Sequence, residues 1–118
     1  MEQIHKSDCV FCRIIAGEIS SISLYDDEDI YVFRDINPQA PVHFLVSPKK
    51  HIESAAEVTA GNSLLVAKCF EVIASLVKSE GLEEGFRVIT NSGINGRQTV
   101  NHLHFHVLGG QFFKDNLV

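Results

Sequence analysis

The sequence lacks the features that would place this chain in a membrane or on a nucleic acid. Its 118 residues contain no apolar run long enough to span a bilayer, and the N-terminal stretch MEQIHKSDCV lacks the apolar core of a signal peptide. The 10 Lys and Arg are outnumbered by 15 Asp and Glu, giving a net charge of -5 and an isoelectric point near 5.6. An acidic chain is poorly suited to phosphate-rich surfaces, so we expect neither nucleic acid nor membrane as its partner. Because the N-terminus does not look like a signal peptide, we expect a cytoplasmic protein.

Cysteine is scarce, and the sequence has no linker, repeat or low-complexity tract. In a reducing cytoplasm the 3 cysteines are expected to be thiols or metal ligands rather than disulfides. Cys9 and Cys12 form a Cys-x2-Cys pair, which is a modest signal for zinc or redox chemistry. The length predicts a single domain over residues 1–118, with a frayed N-terminus at 1–7 and a C-terminal tail at 111–118.

Hydrophobic periodicity predicts an α+β domain, and an apolar content of 45% is enough for a core. Stretches rich in β-branched and aromatic residues predict five strands: SISLYD, DIYVFRD, VHFLVSP, FRVITN and HLHFHVL. Apolar residues at helical spacing predict a short helix that ends at Gly17, and a long helix from Asn62 to about Lys78 with Gly81 as its stop. Strands that mostly pair as neighbours form an antiparallel sheet, and its open edges favour dimerisation.

Three of the 6 histidines lie within five residues, in the segment NHLHFHVLGG. Successive side chains of a strand point to opposite faces, so His102, His104 and His106 would share one face while the apolar residues between them pack on the other. Three imidazoles in a row are costly to bury without partners, and a sheet that needed only stability would carry valine or threonine there. The pattern therefore indicates a functional site.

Two kinds of chemistry fit such a row of imidazoles. His-x-His on a strand can offer two nitrogens to one zinc ion. Alternatively, one imidazole acts as a nucleophile while its neighbours fix its tautomer and supply a proton. The preceding loop, NSGINGRQTVN, has two glycines and small polar residues, which allow backbone N–H groups to surround an anion. A metal hydrolase would not need such a loop, whereas an enzyme acting on a phosphoryl group would.

Two blocks, DINPQAPVHFLVSPKKHI and NGRQTVNHLHFHVLGG, resemble the histidine triad family, whose signature is His-φ-His-φ-His-φ-φ with φ an apolar residue. The likeness runs from about Asp8 to Gly110 and points to the Hint branch of nucleoside phosphoramidases. It implies a half-barrel-like antiparallel sheet with a long helix, paired into a homodimer with a continuous sheet, in which the central helices and fifth strands meet. It also implies hydrolysis of a purine nucleoside 5′-phosphoramidate, such as AMP or GMP joined to an amine, with no cofactor needed for the chemistry.

The resemblance assigns the catalytic residues. The middle histidine of the family attacks the α-phosphorus, so the nucleophile would be His104 and the product of the attack a nucleotidyl-histidine. Its tautomer would be fixed by a backbone carbonyl beside His102. His106 would contact the phosphate, and His43 stands at the position of a supporting histidine, where a buried ring with satisfied hydrogen bonds is an equally good interpretation.

The resemblance also assigns a nucleotide pocket. Asp35 would accept hydrogen bonds from the two ribose hydroxyls, with Ile36 near the base. Thr99 stands where relatives carry serine, Arg97 where close animal relatives carry glycine, and the tail QFFKDNLV lacks their tryptophan. The walls of a purine slot would be Phe11, Ile14 and Phe33, although core packing explains them nearly as well, and the phosphate and leaving group would contact Asn91, Gly96, Arg97, Gln98 and Thr99.

Some bacterial members of the family and the related uridylyltransferases hold zinc with a Cys-x2-Cys pair and two later histidines. The matching residues are Cys9, Cys12, His51 and His102, which would hold a structural zinc ion outside the chemistry. The alternative is a pair of buried free thiols. Two other functions remain open. One is a dinucleoside polyphosphate hydrolase, although the LGG after the triad resembles the Hint branch instead. The other is an adaptor that binds purine nucleotides without turnover.

Overall fold

The computed structural model describes residues 8–118, so the predicted frayed segment 1–7 lies outside the described residues. Within them the predicted α+β class is confirmed, with a five-stranded antiparallel sheet, one long helix and one short helix. The elements in chain order are α1 Val10–Ile15, β1 Ser23–Asp26, β2 Ile30–Arg34, β3 Val42–Pro48, a 3-10 turn at Ala55–Glu57, α2 Ser63–Leu76, β4 Phe86–Ile89 and β5 Phe105–Gly109. No helix in this part of the chain has the length and apolarity needed to cross a membrane.

The sheet separates two hydrophobic clusters. The larger one lies between the sheet and α2, which buries Leu65, Cys69 and Val72 at helical spacing, as predicted. The smaller one lies on the opposite face, where α1 brings Phe11 against Phe33 and Leu45. The histidines of the sheet share this second face, because Leu45 of β3 stands directly opposite His106 of β5.

The fifth strand begins at Phe105, so the prediction of a strand from residue 102 is wrong at its start. The ladder between β3 and β5 ends at the pair Val46 and Phe105, close to Pro48, which has no N–H to extend it. The backbone of Leu103 bonds elsewhere: its N–H donates to the Ile52 carbonyl at 2.6 Å, and its carbonyl accepts from the Ser47 hydroxyl at 3.1 Å. Asn101 and His102 lie in a bend rather than in a strand. The alternation of faces nevertheless survives, since Leu103, Phe105 and Val107 pack in the larger cluster while His104 contacts Phe11.

The order of the strands is β1-β2-β3-β5-β4. Strand β5 is hydrogen-bonded on both sides, to β3 and to β4. Fifth strands therefore cannot join two copies into one continuous sheet, since that needs a free edge. The dimer itself stays a prediction. The edges of this sheet are β1 and β4.

The C-terminal tail folds back onto edge strand β4. The guanidinium of Arg87 lies 5.0 Å from the centre of the Phe113 ring. It also donates to the main-chain carbonyls of Asn116, at 3.1 Å, and Lys114. Arg87 thus connects the predicted tail at 111–118 to β4.

Candidate active site

The structure brings the four predicted catalytic histidines close together. His102, His104 and His43 are buried, and His106 is half-buried. The ring of His104 lies 5.1 Å from the ring of His106, and the ring of His106 lies 5.1 Å from that of His43. A second ring contact, at 4.7 Å, joins His104 to Phe11 of α1. Residues from three separate segments therefore meet at one site.

His104 is held as a nucleophile would need to be. Its Nδ1 lies 2.6 Å from the main-chain oxygen of His102. Because a carbonyl oxygen only accepts, the proton of a neutral ring must sit on Nδ1, and Nε2 keeps its lone pair. Burial lowers the pKa of His104 from its ordinary value, although the bond to His102 and the carboxylate of Asp35 act in the opposite direction. The ring is therefore neutral near pH 7.

His43 links His106 to the loop between β2 and β3. Its Nε2 lies 2.9 Å from Nδ1 of His106 and 3.4 Å from a carboxylate oxygen of Asp35. Its Nδ1 accepts a hydrogen bond from the main-chain N–H of Gln39 at 3.0 Å. Burial lowers the pKa of both rings, and for His106, where the neighbouring His104 and His43 add to the effect, it falls to about 4.

The predicted walls of the purine slot also lie together. Phe11 and Phe33 meet edge to face with ring centres 5.3 Å apart, and Ile14 packs beside them. Both phenylalanines are buried, as core packing requires, and their role as walls of a purine slot stays a prediction. Asp35 and Ile36 follow β2, and Ile36 is 97% exposed, which leaves an apolar side chain available to a ligand.

The predicted phosphate loop has a conformation that its residues impose. A Cβ at Gly96 would lie 2.6 Å from the main-chain oxygen of Ser92, so only glycine fits there. Arg97 adopts a φ of 62°, in the left-handed region, which agrees with the glycine expected at this position in relatives. Its side chain is exposed, as is that of Thr99, while Asn91 is half-buried.

Gln98 builds this loop from within. Its side-chain oxygen accepts from the N–H of Gly93 at 3.0 Å, and its side-chain nitrogen donates to the carbonyls of Glu53, at 2.7 Å, and Val100, at 3.0 Å. Sequence reasoning assigned Gln98 to direct ligand contact and missed this bracing. The partner carbonyl of Glu53 is 45 positions away, and no local pattern indicates such a bond.

The four predicted metal ligands converge on one point. The ligand atoms of Cys9, Cys12, His51 and His102 all lie within 4.8 Å of one another. Nδ1 of His102 is 3.3 Å from Sγ of Cys9 and 3.5 Å from Sγ of Cys12, and Nδ1 of His51 is 3.4 Å from Sγ of Cys12. Zinc bonds of about 2.3 Å to sulfur and 2.0 Å to nitrogen place tetrahedral ligands roughly 3.5 Å apart, so the donor set fits zinc.

The tautomer of His102 also suits a metal ligand. Its Nε2 donates to the main-chain oxygen of Pro48 at 2.8 Å, which leaves the lone pair on Nδ1, the atom that faces the thiols. Burial lowers the pKa of His102 to about 4, against the bond to Pro48 and with help from His51 and His104. The ring is thus neutral, the form that binds metal ions.

Comparison with known proteins gives a consistent family. Residues 8–116 match the family model described as "Scavenger mRNA decapping enzyme C-term binding". A HIT-like protein of Chlamydia trachomatis serovar D is 43% identical over 101 residues, which cover 86% of this chain and 91% of the relative. A "14 kDa zinc-binding protein" of Zea mays is 39% identical over 113 residues, covering 94% of this chain and 88% of the relative.

Solved structures share the fold over almost the whole chain. A HIT family hydrolase from Clostridium thermocellum superimposes with a TM-score of 0.93 at 38% identity, covering 96% of this chain and 99% of that one. A histidine triad nucleotide-binding protein from Candida albicans gives a TM-score of 0.78 at 30% identity, covering 92% of this chain and 85% of that one. The first of these proteins is named a hydrolase and the second a nucleotide-binding protein.

Proposed function

We propose that this chain, which belongs to the histidine triad superfamily, is a hydrolase that cleaves the P–N bond of AMP–amine or GMP–amine conjugates through a nucleotidyl-histidine. The observation that carries the proposal is the 2.6 Å contact between Nδ1 of His104 and the His102 carbonyl. It directs the lone pair of a neutral imidazole away from the backbone, where it is available to phosphorus. The hydrolase and nucleotide-binding names of the structural neighbours support this class of reaction.

The reaction has two steps. In the first, the Nε2 lone pair of His104 forms a bond to the α-phosphorus, and the P–N bond breaks with its electron pair on the amine. The amine takes a proton from water, leaving a hydroxide that the proton released in the second step neutralises, and the nucleotidyl ring keeps its Nδ1–H on the His102 carbonyl. The exposed Thr99 hydroxyl would donate to the leaving amine. In the second, water attacks the phosphorus, the bonding pair returns to Nε2, and a proton is released with the nucleoside monophosphate.

The nucleoside would lie over the apolar cluster of α1 and β2. Phe11, Ile14 and Phe33 form its floor, Ile36 packs on the base, and Asp35 accepts from the ribose hydroxyls. One oxygen of Asp35 already accepts from the N–H of Asn37 at 2.8 Å. A carboxylate oxygen has two lone pairs, so capacity for the ribose remains.

The phosphate would bind between the histidines and the loop that Gln98 braces. The candidate donors are His106, the amide of Asn91 and the backbone N–H groups of Gly96 and Thr99. The N–H groups of Arg97 and Gln98 already donate within the loop, to the carbonyls of Ile94 and Gly93. The exposed Arg97 adds a positive charge that an anionic substrate would meet. Glycine at position 96 lets the loop close on the backbone of Ser92 and so keeps its shape.

A structural zinc ion would be held by Cys9, Cys12, His51 and His102, outside the reaction. When bound, it would tie α1 to the segment just before β5 and so fix the backbone that carries the His102 carbonyl. The name of the maize relative, which describes zinc binding, supports this proposal. We assign the chain to the cytoplasm, a reducing compartment in which Cys9 and Cys12 would remain available as zinc ligands.

A homodimer is part of the proposal. Strand β4 is a sheet edge, and α2 exposes Leu64 by 76% and Phe70 by 47%. Joining two copies along β4, with their α2 helices together, would make one continuous sheet and cover both apolar side chains. Analytical ultracentrifugation tests this: a monomer at micromolar concentration would contradict it.

The test of the activity compares two substrates and one variant. We expect faster turnover of an adenosine 5′-phosphoramidate than of a diadenosine polyphosphate; the reverse preference would favour the dinucleoside polyphosphate hydrolase. His104→Ala should abolish turnover while AMP binding, measured by calorimetry, largely survives because the loop and Asp35 remain. Negligible turnover by the natural chain, with AMP still bound, would favour the adaptor.

A further inference from the structure

The chain of contacts from Gln39 to His106 allows both histidine tautomers to be assigned. A main-chain N–H can only donate, so Nδ1 of His43, 3.0 Å from the nitrogen of Gln39, must carry a lone pair. The proton of a neutral His43 is therefore on Nε2. The acceptors near it are Nδ1 of His106 at 2.9 Å and the Asp35 carboxylate at 3.4 Å. The shorter contact makes Nδ1 of His106 an acceptor, and its own proton must then sit on Nε2.

We infer that the main-chain N–H of Gln39 fixes the tautomer of His43, and through it that of His106, so that His106 offers an Nε2–H donor to the phosphoryl group. The donation to the phosphoryl group rests on the proposed function, whereas the assignment of the tautomers does not. His43 is then a positioning residue that never carries the reacting proton.

Both rings must be neutral for this assignment, and their surroundings favour that state. Burial is the largest cause lowering the pKa of His43 and of His106. The ionisable groups that face the pair are Asp35, which opposes the effect at both rings, and His104, which adds to it at His106. Single protonation of each ring at neutral pH follows.

The chain of hydrogen bonds ends at a backbone amide, which cannot supply protons to a relay. If His43 passed its Nε2 proton to His106, its Nδ1 would need a replacement from Gln39. An amide N–H is far too weak an acid to supply one, and His43 would be left as an anion in a buried site. The hydrogen bonds can orient the ring of His106, but they cannot replace a proton that it gives up.

The loop holds Gln39 rigidly enough for this role. Gln39 lies between Pro38 and Pro41, which restrict the backbone and have no N–H of their own. A Cβ at Gly110 would lie 3.0 Å from Cβ of Pro41, so glycine there lets the loop pack against the end of β5. The side chain of Gln39 further donates to the carbonyl of Asn37 at 3.0 Å.

The direct test is nitrogen NMR of histidine-labelled protein at pH 7, which reports which ring nitrogen carries the proton. We expect His106 protonated on Nε2 in the natural chain and a mixture of both tautomers in His43→Ala. A His106 ring protonated on Nδ1 in the natural chain would overturn the inference. This readout needs no substrate, so its result stands whether or not the proposed reaction does.

Activity variants separate positioning from proton relay. His43→Ala should lower kcat by about 10- to 100-fold, as loss of an orienting partner does elsewhere. His43→Gln carries an amide N–H near the position of Nε2 and cannot relay protons, so we expect it to restore most of that loss with the pH profile of the natural enzyme. If His43→Gln is as slow as His43→Ala, although NMR shows His106 on Nε2 in it, the relay is correct and the inference is wrong.

The role of the Gln39 backbone has its own pair of variants. Gln39→Pro removes the N–H, whereas Gln39→Ala removes the side chain and keeps it. We expect mixed histidine tautomers in Gln39→Pro and the natural NMR pattern in Gln39→Ala. Natural tautomers in a folded Gln39→Pro would show that the amide does not set them; if that variant does not fold, the His43 spectra decide.

Discussion

Replacing Gly96 by alanine should displace the loop that we assign to the phosphate. The new Cβ would lie 2.6 Å from the oxygen, 3.0 Å from the nitrogen and 3.3 Å from the carbonyl carbon of Ser92, all of them backbone atoms that cannot rotate away. Carbon–oxygen contacts settle near 3.3 Å, so the loop must open by roughly 0.7 Å. A shift of about 1 Å in a bound substrate costs on the order of 100-fold in rate, so we expect kcat/KM to fall by about 10- to 100-fold.

The assay is steady-state hydrolysis of an adenosine 5′-phosphoramidate, with the melting temperature measured beside it. Gly93→Ala is the matched control, because its Cβ meets nothing within 4 Å although its φ is +72°. It should lower stability by roughly 1 kcal/mol through backbone strain and keep far more of kcat/KM than Gly96→Ala. A folded Gly96→Ala with the kcat/KM of the natural chain would refute the assigned role of this loop.

Three further predictions concern stability, metal and charge. Burial lowers the pKa of His43, and that of His106 to about 4, so between about pH 6.5 and pH 4 the unfolded chain binds protons that the folded chain does not. The free energy of unfolding, measured by urea titration, should therefore fall over this pH range, by roughly 1–3 kcal/mol for His106 alone. His106→Asn should make this pH dependence weaker. Elemental analysis should find stoichiometric zinc in protein purified without chelator but none in Cys12→Ser, while Cys69→Ala keeps it; equal zinc in both variants would contradict the assigned ligands. Arg97→Gly should raise KM for the anionic substrate without lowering the melting temperature, since glycine accepts the φ of 62°; an unchanged KM would remove this side chain from binding.

Local patterns predicted the elements where side-chain periodicity decides the structure. The third strand, Val42–Pro48, was predicted to the residue, and α2 within two residues at each end. The strand is a short apolar run buried on both faces, and the helix carries apolar residues at helical spacing on its buried face. The start of β5 could not be read in this way. It depends on the backbone groups of the partner strand β3, whose pairing with β5 ends at Val46, close to Pro48, which has no N–H.

The candidate site shows the same division. The resemblance indicated the His102 carbonyl as the partner of His104, and the structure contains that contact at 2.6 Å. It did not indicate Gln39. That residue contacts His43 through its backbone N–H, which nearly every residue type has, so the sequence carries no sign of the contact. The contacts of Arg87 with the C-terminal tail were missed for a similar reason, since its partners are main-chain carbonyls more than 25 positions away.

The covalent nucleotidyl-histidine is measured most directly by mass spectrometry of protein denatured at alkaline pH during turnover, because its P–N bond is labile in acid. With an adenosine 5′-phosphoramidate in excess, we predict a population of chains heavier by one adenylyl group. The adduct should be absent from His104→Ala, whose ring nitrogen is gone. Hydrolysis by the natural chain without any adduct at times shorter than one turnover, or an adduct that persists in His104→Ala, would contradict the assignment of His104 as the nucleophile.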